Sequence, residues 1–428
     1  MKIIKYPSAN NWLPLVARAT KSVTDIEETV NQIFKDIEKH GDKAVLKYTN
    51  IFDGVTLNSL QVIDSELEKA KKGIKPELQA AIQTAYYNIT KFHAAQKTTR
   101  IAIETMPGVS CWQENRPIQK VGLYIPGGTA PLFSTVLMLA IPAQLAGCTD
   151  IVLCSPPNKN GQIANEILYA AALCGVRTIY KVGGIQAIAA LTFGTETIKP
   201  VYKIFGPGNQ FVTVAKQMAT KYGVAIDMPA GPSELLIVAD NSAVPAFVAA
   251  DLLSQAEHGA DSQVIFVTTS QVLLQEVLDE ISKQMEALPR KSLVENAIKN
   301  SKAILVSNNQ EALNFINDYA PEHLIICTNN DAFFTEGVCN AGSVFIGNYT
   351  PESAGDYASG TNHTLPTNGF SKAYSGVNLN SFMKAITFQK LSKQGIYNLG
   401  PAIQIMAEAE GLQAHKNAVT IRLNSLKS

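Results

Sequence analysis

From Val121 onward the chain alternates short apolar runs with segments of helical length, and this alternation restricts the fold more than any other feature of the sequence. The runs fall at Val121–Ile125, Ile151–Cys154, Thr178–Val182, Tyr202–Phe205 and Leu235–Val238. Past Val238 the pattern predicts a helix over 243–257, a strand over 263–268, a helix over 270–286 and a strand over 303–306. It continues with a helix over 309–319 and strands over 324–327 and 343–346. Strands spaced by helices of this length are joined by crossovers, so neighbours run parallel and helices cover both faces of the sheet. The expected fold class is therefore α/β: two tandem, Rossmann-like, doubly wound parallel-sheet domains.

A chain of 428 residues exceeds what a single hydrophobic core usually organises. One α/β domain is expected over 121–234, with the cut near 234. The other is expected to be discontinuous, built from 24–120 and 235–377. Residues 1–23 read as an N-terminal arm and 378–428 as a C-terminal helical arm that docks on a second subunit. Within 24–120 the signals are helical. Thr24-Asp25-Ile26-Glu27 has the form of a capping box, and Ile26, Val30, Ile33, Phe34 and Ile37 recur at helical spacing. Gly41 is positioned to stop that helix. A second helical stretch covers about 65–96, interrupted near Gly73 and Pro76.

Charge narrows the choice of partner. Lys+Arg and Asp+Glu both number 36, so the formal net charge is zero. No long basic run occurs, which argues against nucleic acid or an anionic membrane as the main partner. The segment Met1–Pro7 lacks the apolar stretch of a signal peptide. The most apolar segment, Val136–Ala146, is interrupted by Pro142 and Gln144 and is too short to span a bilayer. Six cysteines, Cys111, Cys148, Cys154, Cys174, Cys327 and Cys339, are scattered without a CxxC pair. That usage fits the reduced thiols of a cytoplasmic protein. Cys148 and Cys154 have apolar flanks and read as small buried hydrophobes.

Three strand ends lead into glycine turns and then helices: Tyr124-Ile125-Pro126-Gly127-Gly128, Val182-Gly183-Gly184 and Phe205-Gly206-Pro207-Gly208-Asn209. Glycine lets main-chain N–H groups approach a phosphate, and the following helix start favours negative charge. The GxGxxG fingerprint is absent, so any dinucleotide is held in a non-standard way.

Of the six histidines, His40 and His93 lie on amphipathic helices and read as structural. His258, His323, His363 and His415 cluster late in the chain, each in polar or acidic company. Gln255 and His258 are three apart and share a helical face. Glu322-His323 follows Pro321 where a strand begins, and Asp356 stands seven residues before His363. Glu410 and His415 lie in the C-terminal arm. A zinc site takes about four N, O or S ligands, which these groups could supply across a fold, but no HExxH or CxxC spacing selects among them.

The longer segments are more specific. Ile226–Glu234 followed by Asp251–Gly259 resembles the signature stretch of the histidinol dehydrogenase family. So do Val121–Pro131, Phe205–Asn209, Ala320–Leu324, Ser353–Tyr357 and Asn362–Pro366, in the same order and over nearly the whole chain. The resemblance implies that Gln255, His258, Asp356 and His415 bind zinc, with His415 coming from the other subunit of a homodimer. It implies that Tyr124, Gln186 and Asn209 contact NAD. Ser233, His363 and Glu410 would hold the substrate together with the zinc ligands and His323, and Glu322 and His323 would be the acid/base pair. The implied reaction is the NAD-dependent four-electron oxidation of L-histidinol to L-histidine in histidine biosynthesis.

In such a reaction the nicotinamide carries the hydride chemistry and the protein supplies position and charge. His323 would accept the hydroxyl proton and Glu322 would activate water for the second oxidation. Adjacent residues on a regular strand point to opposite faces, so the main chain at Glu322-His323 must leave strand geometry if both serve one site. The residues alone leave three rivals. These are a zinc hydrolase using Glu322, a zinc- and NAD-dependent dehydrogenase of another small polar alcohol, and a two-lobed binding protein without catalysis.

Overall fold

The computed structural model describes all of the chain except residues 9, 11, 19–23, 128–130, 230 and 428. The expected capping-box side chains Thr24 and Asp25, and Gly128 of the first glycine turn, lie outside the described residues.

The two predicted α/β units are present. Five strands, Lys120–Tyr124, Asp150–Ser155, Thr178–Lys181, Lys203–Phe205 and Ala225–Ile226, form one sheet. Counted along the chain they stand in the spatial order 3-2-1-4-5, with every pairing parallel. The second sheet has six strands: Lys2–Lys5, Glu234–Ala239, Gln263–Thr268, Lys302–Leu305, His323–Cys327 and Ser343–Ile346. Without its N-terminal edge strand it repeats the order 3-2-1-4-5, again all parallel. Glu234–Ala239 and Gln263–Thr268 are buried at every position, as strands covered on both faces require.

Three expectations are corrected. Residues 1–23 are not an arm throughout, because Lys2–Lys5 pairs in register with Lys302–Leu305 as an edge strand of the larger sheet. The helices of 24–120 do not join the 235–377 unit. Thr24–Asp53 packs on Gly184–Phe193 and Gln210–Lys221, Asp64–Gly73 on Asn165–Leu173, and Pro76–Ala94 on Phe133–Ala146. Their apolar stripes thus close the core of the five-stranded unit, where Ile33, Phe34, Ile82 and Ile89 are buried. Finally, the region past 377 is not helical throughout. Met383–Leu391 is a strand that pairs antiparallel along the whole of Val109–Pro117, with Ile101–Met106 on its far side. Ile386, Thr387 and Phe388 favour an extended chain, which outweighs a helical reading there. Two helices, Lys393–Ala409 and Gln413–Asn424, complete the arm.

Gly41 does interrupt the first helix, with φ 51° and ψ −133°, but a second helix follows at once and runs to Asp53. Helix Phe133–Ala146 is almost wholly buried despite its internal Pro142. Among the described residues no helix is long and apolar enough to cross a membrane.

Candidate active site

The carboxyl ends of the five-stranded sheet open on a cleft of about 700 Å³. It lies at the point where strand order reverses, between Lys120–Tyr124 and Lys203–Phe205, which is where open α/β sheets hold ligands. Gly206 is held at φ 132°, and a Cβ there would collide with the Tyr124 carbonyl oxygen. The Gly184 N–H donates to Tyr124 Oη at 3.2 Å. Burial pushes the Tyr124 phenol up to about 12, so it remains a neutral hydroxyl. Asn209 caps helix Gln210–Lys221 by accepting from the Val212 N–H at 3.1 Å.

Gln186 is fully buried on helix Gly184–Phe193, with Nε2 3.4 Å from Asp53 Oδ2. Gln186 and Ser155 are among the residues that line this cleft, and their buried Oε1 and Oγ have no hydrogen-bond partner among the described residues. Buried polar atoms are rarely left unpaired, so these two point to a polar ligand. Phe52, Phe211, Ile185 and Pro156 supply apolar wall. Size and lining match an extended ligand with a flat apolar part, as a dinucleotide has.

The second region gathers at the opposite end of the other sheet, at the amino ends of Glu234–Ala239 and His323–Cys327. Ala320 adopts a left-handed conformation, φ 53° and ψ 66°, which ends helix Asn309–Tyr319 and turns the chain into Pro321-Glu322-His323. Glu322 therefore precedes the strand rather than alternating along it, and both side chains reach the main chain of Glu234. Glu322 Oε2 accepts from the Glu234 N–H at 2.8 Å, and His323 Nδ1 stands 3.2 Å from the Glu234 carbonyl oxygen. Both side chains thus meet one main-chain segment just after the left-handed turn at Ala320. Glu322 Oε2 lies 3.6 Å from His323 Nδ1.

Around His323 stand two more carboxylates. Glu352 Oε1 is 3.5 Å from Nδ1, and Asp356 Oδ1 is 3.5 Å from Nε2. Burial lowers the proton affinity of His323, but Glu352, Glu322 and Asp356 outweigh it and hold the ring above its ordinary value. Burial likewise drives the Glu322 carboxyl well above its usual range. A divalent cation on these carboxylates would reverse that bias toward a charged imidazole.

The ligand atoms of His258, Glu352 and Asp356 all lie within 4.8 Å of one another. One imidazole and two carboxylates form an N/O set of the kind that zinc accepts. Gln255 is buried beside them, with its side-chain amide lying between Glu352 Oε1 and the Glu234 main-chain nitrogen. His363 joins the wall through Nδ1 to the Asp356 carbonyl oxygen at 2.8 Å and Nε2 to Thr135 Oγ1 at 3.0 Å.

Ser233, His258, Glu322 and His363 line a cavity of about 210 Å³ whose other wall comes from the five-stranded unit. Asn209 lines both this cavity and the larger cleft, so the two spaces meet there. The structure thus brings together Tyr124, Gln186 and Asn209 in one region, and Ser233, Gln255, His258, Glu322, His323, Asp356 and His363 in the other. Glu410 and His415 stand apart on the C-terminal arm, both exposed, with no hydrogen bond or ion pair to the His323 cluster among the described residues. His40 pairs with Asp36 on the surface, and His93 is buried against the Ile89 carbonyl oxygen, as structural histidines. Cys148 and Cys154 are buried with their thiols pushed up by burial.

Sequence reasoning missed Glu352. Its signal was available: Glu352 and Asp356 are four apart just after Pro351, so they share one face of the helix Glu352–Tyr357. It also missed Glu234 as the main-chain anchor of the Glu322–His323 pair, for which a sequence carries no side-chain signal.

Two doubly wound units, a dinucleotide-sized cleft in one and a buried imidazole–carboxylate cluster facing it from the other, define a two-domain α/β enzyme. The family model for histidinol dehydrogenase matches residues 16–423, and the chain belongs to that family. It is 58% identical over 427 residues to the histidinol dehydrogenase of Bacteroides thetaiotaomicron, covering 100% of each chain. It is 51% identical over 415 residues to that of Shigella sonnei, covering 96% of this chain and 95% of the other. The crystal structure of histidinol dehydrogenase from Elizabethkingia anophelis superposes with a TM-score of 0.98 at 55% identity, covering 100% of this chain and 99% of that one.

Proposed function

We propose that this chain oxidises L-histidinol to L-histidine with two successive reductions of NAD, using one zinc ion per subunit. The observation that carries the reading is the meeting of the two regions at Asn209: a cleft with unpartnered polar atoms on one side and a carboxylate–imidazole cluster on the other. In this reading Tyr124, Gln186 and Asn209 hold NAD. Gln255, His258, Asp356 and the partner's counterpart of His415 hold zinc, while Ser233, His363 and Glu410 hold the substrate beside them. When bound, NAD would supply the hydride acceptor and zinc a Lewis acid and template for the substrate.

The chain's own groups move the protons. The Glu234 carbonyl oxygen can only accept, so in neutral His323 the proton sits on Nδ1 and Nε2 is left as the base. Nε2, 3.5 Å from Asp356 Oδ1 and without a hydrogen bond among the described residues, takes the hydroxyl proton at each oxidation. Glu322, whose carboxyl burial pushes up, exchanges a proton with the water that hydrates the aldehyde.

The His415 and Glu410 roles require a homodimer, since both lie away from the cluster within one chain. Mixing inactive His415→Ala and Gln255→Ala variants under subunit exchange is expected to restore turnover. Mixed dimers without recovered turnover contradict the shared site. The direct test of the function is NADH absorbance with purified protein, L-histidinol and NAD, with and without a chelator. NADH that forms and stops on chelation is expected. Amide hydrolysis without NADH would favour a zinc hydrolase, and oxidation only of other small polar alcohols would favour that branch of dehydrogenases.

A further inference from the structure

We propose that the buried Arg18–Glu234 ion pair is a positioning unit that sets the geometry of the Glu322–His323 pair. The inference rests on the acid/base role proposed for those two residues. Glu234 touches both of them, but only through its main chain: its N–H binds Glu322 Oε2 at 2.8 Å, and its carbonyl oxygen faces His323 Nδ1 at 3.2 Å. The orientation of the peptide groups at Glu234 therefore decides where the Glu322 carboxyl sits and which nitrogen of His323 carries the proton.

The Glu234 side chain points the other way and is clamped. Arg18 Nε donates to Oε1 at 3.0 Å and Nη2 to Oε2 at 2.7 Å, a forked pair with side chains 9% and 1% exposed. The Asn368 N–H adds a third bond to Oε1 at 2.6 Å. Arg18 also grips the segment that delivers the catalytic pair. Nη2 donates to the Tyr319 carbonyl oxygen at 2.7 Å, and the guanidinium lies 3.8 Å over the centroid of the Tyr319 ring. Tyr319 is the last residue before Ala320-Pro321-Glu322-His323 turns into its strand.

One guanidinium thus ties the start of the strand Glu234–Ala239 to the hinge before His323. A single ammonium could not make the fork, the carbonyl contact and the ring contact at once, since the fork needs the planar group. A burial this complete also argues for a purpose beyond stability, because buried ion pairs contribute little net stability over apolar replacements. The pair sits behind the reacting residues and lines neither the 700 Å³ cleft nor the 210 Å³ cavity. A loss of positioning is therefore read in turnover and not in ligand affinity.

The test compares Arg18→Lys, Arg18→Met, Glu234→Gln and the Arg18→Met/Glu234→Gln double variant by steady-state kinetics, with thermal melts and zinc content on each. Arg18→Met and Glu234→Gln are expected to lower kcat by at least roughly tenfold while KM for L-histidinol and NAD stays within about threefold. The double variant is expected to fall no further than the worse single, as members of one unit do. Arg18→Lys should lie between native and Arg18→Met. If the charge-deleting variants do not accumulate as folded protein, Arg18→Lys alone decides: lowered kcat at unchanged KM supports the inference, and native kcat overturns it. Native kcat in folded variants, losses that multiply in the double, or losses that appear only in KM also overturn it. A His323→Asn control separates the two claims. If that variant turns over normally, the acid/base reading fails; if it is inactive while the Arg18 variants are native, only this inference falls.

Discussion

The two sheets share one strand order and are used at opposite ends. In the five-stranded sheet the cleft opens at the carboxyl ends of the first and fourth strands, Lys120–Tyr124 and Lys203–Phe205. In the six-stranded sheet the charged cluster gathers at the amino ends of the equivalent pair, Glu234–Ala239 and His323–Cys327. The first is the ordinary arrangement, where glycine turns and helix starts present N–H groups to a ligand. The second has no glycine turn of that kind. It is built from a left-handed Ala320, a buried carboxylate helix and a helix end that delivers Gln255 and His258. One topology therefore yields two chemically different sites: a cleft with much apolar wall and a crowded group of titratable side chains. Facing each other across Asn209, they would, under the proposed function, divide the work of holding a cofactor from that of moving protons.

If this division is real, substitutions on the two sides should fail in different ways. The largest effect is expected at His323, where Asn removes the base but keeps a polar group of similar reach. Steady-state kinetics of His323→Asn should show kcat lowered by about 10²-fold or more with NAD affinity unchanged. A loss confined to KM for NAD would erase the distinction. A smaller effect is expected at Gln186, whose buried Oε1 lacks a partner among the described residues. Gln186→Leu should raise the Kd for NAD by about tenfold, the value of one or two lost polar contacts, with turnover at saturating NAD near native. Unchanged NAD binding in the folded variant would remove Gln186 from the cofactor cleft.

The same contrast explains what the sequence made legible. The strands from Val121 to Val238 could be read because each is a short apolar run between helix-length segments, and the carboxyl-end rule then located Tyr124, Gly184 and Asn209 together. The charged cluster could not be placed by any such rule. His323, Asp356 and His258 were singled out by residue type and by family resemblance, while their convergence at amino strand ends depends on long-range packing. Glu352 escaped although it pairs with Asp356 at helical spacing, because the recognised motif began one residue later. The packing of the 24–94 helices on the five-stranded unit was misassigned, since an amphipathic stripe states that a helix is covered but not by what. The strand Met383–Leu391 was read as helix because its exposed face carries lysines on both sides of Ile386 and Phe388, which blurs the two periods.

The claim that the two ends do separate jobs is tested most directly at Asp356. Zinc stoichiometry by elemental analysis and NAD affinity by titration should be measured together on folded Asp356→Asn. The expected result is protein that purifies with far less than one zinc per subunit yet binds NAD as the native chain does. A variant that keeps its full metal content, or that loses NAD binding along with the metal, would contradict the division.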